Sequence, residues 1–154
     1  MRAVVQRVST AGVAVEGSEI ARIGAGLCVL VAMAPTDGPV QVAWMADRVV
    51  GLRVFADGDG KMNRSIVESG GSLLLVSQFT LYGDVSRGRR PSFTRSACAE
   101  EAEPLFASLV ADLRRRLPDR VQTGVFGADM QVSLVNDGPV TLIVDSPSAP
   151  GAEA

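Results

Sequence analysis

A chain of 154 residues with 47% hydrophobic content is long enough to bury one domain's core and too apolar for a disordered one. Its formal net charge of −2 excludes a generic basic nucleic-acid binder, and the absence of histidine removes the imidazole from any catalytic or zinc-binding scheme. No apolar run approaches the roughly 18 residues of a membrane-spanning helix, and the start Met1-Arg2-Ala3-Val4 lacks a signal peptide's apolar stretch, so a cytoplasmic location is expected.

In chain order, residues 2–8 alternate weakly and are β-rich, and Glu16-Gly17-Ser18-Glu19 reads as a hairpin turn between the apolar pairs Val13, Val15 and Ile20, Ile23. Leu27 to Ala34 is the most apolar stretch and reads as a buried strand that holds Cys28 as a free thiol. Val42, Met45, Ala46, Val49 and Val50 recur at helical spacing, so an amphipathic helix ends near Gly51. Arg53 to Phe55 and Ser72 to Phe79 read as strands, and a polar loop follows from about Gly83 to Ser92. A second helix is expected from about Ala99 to Leu117, with Glu100, Glu101 and Glu103 at its start and Arg114 to Arg116 at its end, in the order the helix dipole favours. Val121–Phe126, Met130–Val135 and Val140–Val144 read as three more strands, and 146–154 as a flexible C-terminal tail beyond a single domain of residues 1–145.

These elements predict an α+β domain, with an antiparallel or mixed sheet curled into a barrel-like core and two covering helices. Cys28 and Cys98 stand in no metal-ligand spacing, so no metal and no cofactor is expected.

Two segments concentrate polar groups where pockets form. In Ser77-Gln78-Phe79-Thr80-Leu81-Tyr82-Gly83-Asp84, the hydroxyls of Ser77 and Thr80 lie at a strand end. Either one as a nucleophile needs a base. Only Lys61 or a carboxylate such as Asp84, Asp129 or Asp145 could serve, and none is placed by a recognisable spacing. In Asn136-Asp137-Gly138-Pro139-Val140-Thr141, Asp-Gly signals a hairpin turn, the following proline removes a ladder donor, and an X–Pro bond is ordinarily trans. Arg87, Arg89, Arg90 and Arg95 fall within nine residues and form a local cationic loop.

Together the two segments closely resemble the signature of the bacterial D-aminoacyl-tRNA deacylases. The likeness runs from Met1 to about Asp145 and includes Gln6-Arg7-Val8, Lys61-Met62-Asn63-Arg64, Gly88-Arg89-Arg90-Pro91-Ser92-Phe93 and Gly127-Ala128-Asp129-Met130-Gln131. The resemblance implies hydrolysis of the ester in D-aminoacyl-tRNA, and of glycyl-tRNA mischarged on tRNA-Ala. Ser77, Gln78, Phe79 and Thr80 would line the pocket for the terminal adenosine, with backbone amides near Phe79 and Thr80 facing the oxyanion. The Gly138–Pro139 bond would be cis and would project from one protomer of a homodimer into the other's pocket, excluding L-amino acids. Arg7 would hold that loop, Met130 would border the pocket, and Arg87, Arg89 and Arg90 would meet RNA phosphates. The ribose 2′-hydroxyl of the tRNA would assist the attacking water. A noncatalytic RNA-binding module and a hydrolase with a Thr or Ser nucleophile remain as alternatives.

Overall fold

The computed structural model describes residues 1–148. The elements run β1 Arg2–Val15, β2 Ser18–Ile23, β3 Gly26–Ala32, α1 Pro39–Gly51, β4 Phe55–Ala56, β5 Met62–Arg64, α2 Ile66–Ser69, β6 Ser72–Ser77, α3 Ala99–Arg116, β7 Val121–Thr123 and β8 Gln131–Asp145, with a 3-10 turn over Phe79–Tyr82 between β6 and α3. The fold is the expected mixed α+β domain with a barrel-like sheet. The order is β2-β1-β3-β6-β7, with β8 on the other edge of β1. Pairs β1–β2, β1–β3 and β1–β8 are antiparallel, whereas β3–β6 and β6–β7 are parallel and are joined by crossovers through α1 and α3. The sheet curls until β2 approaches β6 and β7.

The apolar runs at β3 and β6 follow from burial on both faces. Leu27, Val29, Leu73 and Leu75 point to one side and pack with Met45 and Val49 of α1 and Leu109 and Leu113 of α3. Cys28, Leu74 and Val76 point into the curled sheet and meet Val8, Val13 and Ile23. Truncating one fully buried leucine to alanine costs about 2–5 kcal/mol. An exposed ion pair such as Arg115–Asp112 contributes at most about 1 kcal/mol. The two apolar clusters therefore hold the fold, and the surface pairs tune it.

Several predicted boundaries move. The strand expected to run to Phe79 stops at Ser77, because Gln78 turns the chain into the 3-10 turn. The strand placed at Arg53–Phe55 is Phe55–Ala56, paired with the unexpected β5. A short third helix, α2, stands on its own Ser65–Glu68 capping box. Pro104 lies inside α3, past the first turn; it removes one N–H on a solvent-facing stretch between exposed Glu103 and half-buried Leu105.

The largest departure concerns the C-terminal half. Asp137-Gly138 is not a hairpin turn, and the two strands expected around it are one continuous strand, β8, antiparallel to β1 throughout. Local propensity suggested a reversal, but β1 offers a partner on both sides of the turn signal. The register runs Gln6↔Thr141 and then Val8↔Asn136, so residues 137–140 bulge out opposite the single residue Arg7. The tail expected from residue 146 begins in contact with the domain. Ser146 Oγ accepts from the Met1 ammonium at 2.9 Å, and the Pro147 carbonyl accepts from Gln41 Nε2 at 3.4 Å. Residues 149–154 lie outside the described residues.

Burial pushes the Cys28 thiol up to about 11, whereas Cys98 is exposed. With a thiol reagent at pH 8, one thiol per native chain is expected to react within minutes and the second only in denaturant. Titration with Ellman's reagent checks this, and two fast thiols in the native chain would contradict the packing of Cys28.

Candidate functional site

The site begins where β6 ends. Gln78 N–H donates to the Val31 carbonyl at 2.8 Å, fixing the chain to β3 just before it turns. The first bond of the 3-10 turn is Leu81 N–H to the Gln78 carbonyl, at 3.2 Å. The N–H groups of Phe79 and Thr80 precede that bond, so neither has an acceptor within the turn. The Phe79 ring is more than half exposed and packs edge-to-face on Phe93, with centroids 5.1 Å apart.

Beside this turn is a cavity of about 550 Å³ with mostly apolar walls. The ends of β3 and β6 give Met33, Ser77 and Gln78, the start of α3 gives Ala99 and Ala102, and the segment before β8 gives Phe126 and Met130. The Ala97 N–H closes one wall by donating to the Met33 carbonyl at 2.9 Å. Met130 can lie against the wall because residue 124 is glycine. A Cβ there would stand 2.5 Å from the Met130 sulfur.

Neither hydroxyl in the motif is set up as a nucleophile. Thr80 Oγ1 accepts from the Gln78 side-chain amide at 2.6 Å, and an amide cannot take up a proton. Asp129 is the ionisable residue among those lining the cavity. Among the described residues no cluster of three metal-ligating side chains occurs.

The predicted site residues fall into three groups. Ser77, Gln78, Phe79 and Met130 line the cavity, and Thr80 sits next to it along the 3-10 turn. Arg7, Gly138 and Pro139 lie elsewhere and line no part of that cavity. Arg7 bridges two segments, with Nε donating to the Asp137 carbonyl at 2.9 Å and Nη1 to the Val54 carbonyl at 2.5 Å. The Gly138–Pro139 peptide is cis. Gly138 has φ +134°, and a Cβ there would come within 3.0 Å of Val140, so only glycine fits this bulge. Arg87, Arg89 and Arg90 form the third group, exposed in the loop that also supplies Phe93. Sequence reasoning missed Met33, Ala97, Phe126 and the Val54 carbonyl. No local signal marks them, since three are ordinary apolar residues and the fourth acts through its backbone.

The family described as D-Tyr-tRNA(Tyr) deacylase matches residues 4–145. A D-aminoacyl-tRNA deacylase of Prosthecochloris aestuarii is 58% identical over 147 residues, covering 96% of this chain and all of the relative. One of Desulfitobacterium hafniense is 56% identical over 146 residues, covering 95% of this chain and 97% of the relative. Among solved structures, the "c-Myc DNA Unwinding Element Binding Protein" superposes with a TM-score of 0.92 at 41% identity, over 96% of this chain and 100% of that one. A probable eukaryotic D-amino acid tRNA deacylase superposes with a TM-score of 0.80 at 18% identity over 93% of this chain and 97% of that one, a likeness of fold. Matched along nearly its full length by both the family and these relatives, the chain belongs to the D-aminoacyl-tRNA deacylase family.

Proposed function

We propose that this protein is a proofreading hydrolase of the cytoplasm that cleaves the ester of D-aminoacyl-tRNA, and of glycyl-tRNA mischarged on tRNA-Ala, while sparing L-aminoacyl-tRNA. The observation that carries the reading is a roomy, largely apolar cavity beside two N–H groups that have no acceptor in their own turn, with no base positioned on either neighbouring hydroxyl. The terminal adenosine and its aminoacyl group enter the cavity along Ser77, Gln78 and Phe79. Water attacks the ester carbonyl, its proton passing through the ribose 2′-hydroxyl. The carbonyl oxygen becomes an oxyanion held by the Phe79 and Thr80 N–H groups, each worth about 3 kcal/mol when fixed in advance. Collapse breaks the bond to the ribose 3′-oxygen, which takes the proton, and the free amino acid and tRNA leave. The ester is activated, so orientation and these donors suffice without a titrating side chain.

Chirality is judged by a second copy of the chain. Arg7, Gly138 and Pro139 lie apart from their own chain's cavity, and among the described residues β8 pairs along one edge only, with Val135 and Ile143 exposed at 55% and 71%. An isologous dimer covers that strand and carries each Gly138–Pro139 bulge into the other's cavity. Carbonyls of the bulge stand at the substrate's α-carbon, where an L side chain collides and a hydrogen fits. Arg7 holds the bulge, Met130 borders the substrate, and Arg87, Arg89 and Arg90 meet tRNA phosphates. A second reading, a noncatalytic nucleic-acid binder, draws on that exposed arginine loop and on the name of the 41% identical protein, a DNA unwinding element binding protein.

Matched D- and L-tyrosyl-tRNA separate the two. Release of D-tyrosine at least about 100-fold faster than L-tyrosine is expected, and binding without release would leave only the binder. Thr80→Ala should stay within about 10-fold of wild type, since its hydroxyl is not the nucleophile; a folded variant at the uncatalysed rate would restore the nucleophile reading. A tRNA ending in 2′-deoxyadenosine should turn over at least about 100-fold more slowly, and normal turnover would discard the ribose-assisted route. Gly138→Ala, which forces an L residue into a glycine backbone region at about 1–3 kcal/mol of strain, is expected to cut kcat/KM on the D-substrate at least about 10-fold and to lower Tm by about 2–12 °C, the protein staying folded at the assay temperature. Unaltered discrimination in that variant would remove the bulge from the chiral screen. Sedimentation at micromolar concentration should give a dimer; a monomer that is fully active would overturn the shared site.

A further inference from the structure

The 3-10 turn that bears Phe79 and Thr80 has little holding it from within. It has four residues, none of them buried, and no side-chain cap at its start. Gln78 fixes its entry to β3. Its far half is held by a residue outside both sequence motifs. Arg2 Nη1 donates to the Leu81 carbonyl at 3.4 Å, and the same guanidinium lies over the Tyr82 ring, 5.4 Å from its centroid.

Arg2 is itself fixed. Its Nε donates to Asp145 Oδ1 at 2.7 Å and its Nη2 to Asp145 Oδ2 at 3.1 Å, a two-pronged pair that sets the plane of the guanidinium. Arg2 and Asp145 are also register partners across the β1–β8 ladder, so the backbone fixes both ends of the pair. One planar group thus uses two N–H groups of one edge on a carboxylate, a third N–H on a carbonyl and its charge over an aromatic ring. A lysine ammonium cannot reproduce that combination. Burial, and then Asp37 and Asp145, push the Tyr82 phenol up to about 12.

We infer that Arg2 is a positioning residue for the deacylation proposed above: through the Leu81 carbonyl and the Tyr82 ring it clamps the 3-10 turn to the β1–β8 ladder and holds the Phe79 and Thr80 N–H groups where the oxyanion forms. The inference rests on that proposed reaction. Its signature is kinetic. Substrate binding depends on the cavity walls, which Arg2 does not line and meets only as the ladder partner of Ala32, whereas the transition state depends on donor placement, where about 1 Å is worth about 100-fold.

The test is steady-state deacylation of D-tyrosyl-tRNA by full-length wild type, Arg2→Ala, Arg2→Lys and Tyr82→Leu, with thermal melts of each. For Arg2→Ala, kcat is expected to fall about 10- to 100-fold with KM within about 3-fold and the protein folded at the assay temperature. Arg2→Lys should recover part of the loss, and Tyr82→Leu should show a smaller fall of the same kind. A folded Arg2→Ala with kcat within about 3-fold of wild type overturns the inference. So does a change confined to KM, or a loss of activity that only tracks the fraction unfolded in all three variants. Wild type inactive on D-tyrosyl-tRNA would instead overturn the proposed reaction, and the clamp with it; active wild type with indifferent variants overturns the clamp alone.

Discussion

Strand β1 carries hydrogen bonds on both edges, to β3 and then β2 on one side and to β8 on the other. Residues 137–140 have no counterpart in that ladder and must leave it opposite Arg7. The rest of the structure depends on this constraint. A hairpin at Asp137-Gly138 would have reversed the chain and removed half of β8. The continuous ladder instead fixes the bulge from both sides, and Arg7 ties it to the Val54 carbonyl. The same ladder ends at the Arg2–Asp145 pair, beside the 3-10 turn. A single pairing thus sets the position of both motif segments.

Such a layout suits chemistry done by the main chain. A side-chain catalyst needs a tuned pKa, and tuning needs charges or burial placed around one titrating atom. Here histidine is absent from the chain and the Thr80 oxygen is occupied by an amide donor. Backbone N–H groups require only that their direction be fixed, and strand ladders and short turns do that at low cost. Bonds from Gln78 to Val31 and from Ala97 to Met33 have this effect around the cavity.

The fold was partly legible in the residue pattern. Val42, Met45, Ala46 and Val49 announce α1 through the 3.6-residue period, and the run Leu27 to Ala32 announces a strand covered on both faces. The Asp-Gly-Pro signal misled, because a turn propensity describes four residues and cannot register a partner strand more than a hundred positions away. The strand expected from Ser72 to Phe79 overruns into the 3-10 turn for the same reason, since Phe79 is a β-former in isolation and the turn exists only through the Leu81–Gln78 bond.

The sequence by itself determined the absence of an imidazole, the two amphipathic helices, the buried strands and the two motif segments, because each is a property of residue type or short-range period. Only tertiary structure decided that Met33, Ala97, Phe126 and Met130 share one cavity and that Gly138 stands away from it opposite Arg7. Those placements depend on which strands pair and in what register, a choice made by the burial of two apolar clusters over the whole chain rather than by any local stretch of it.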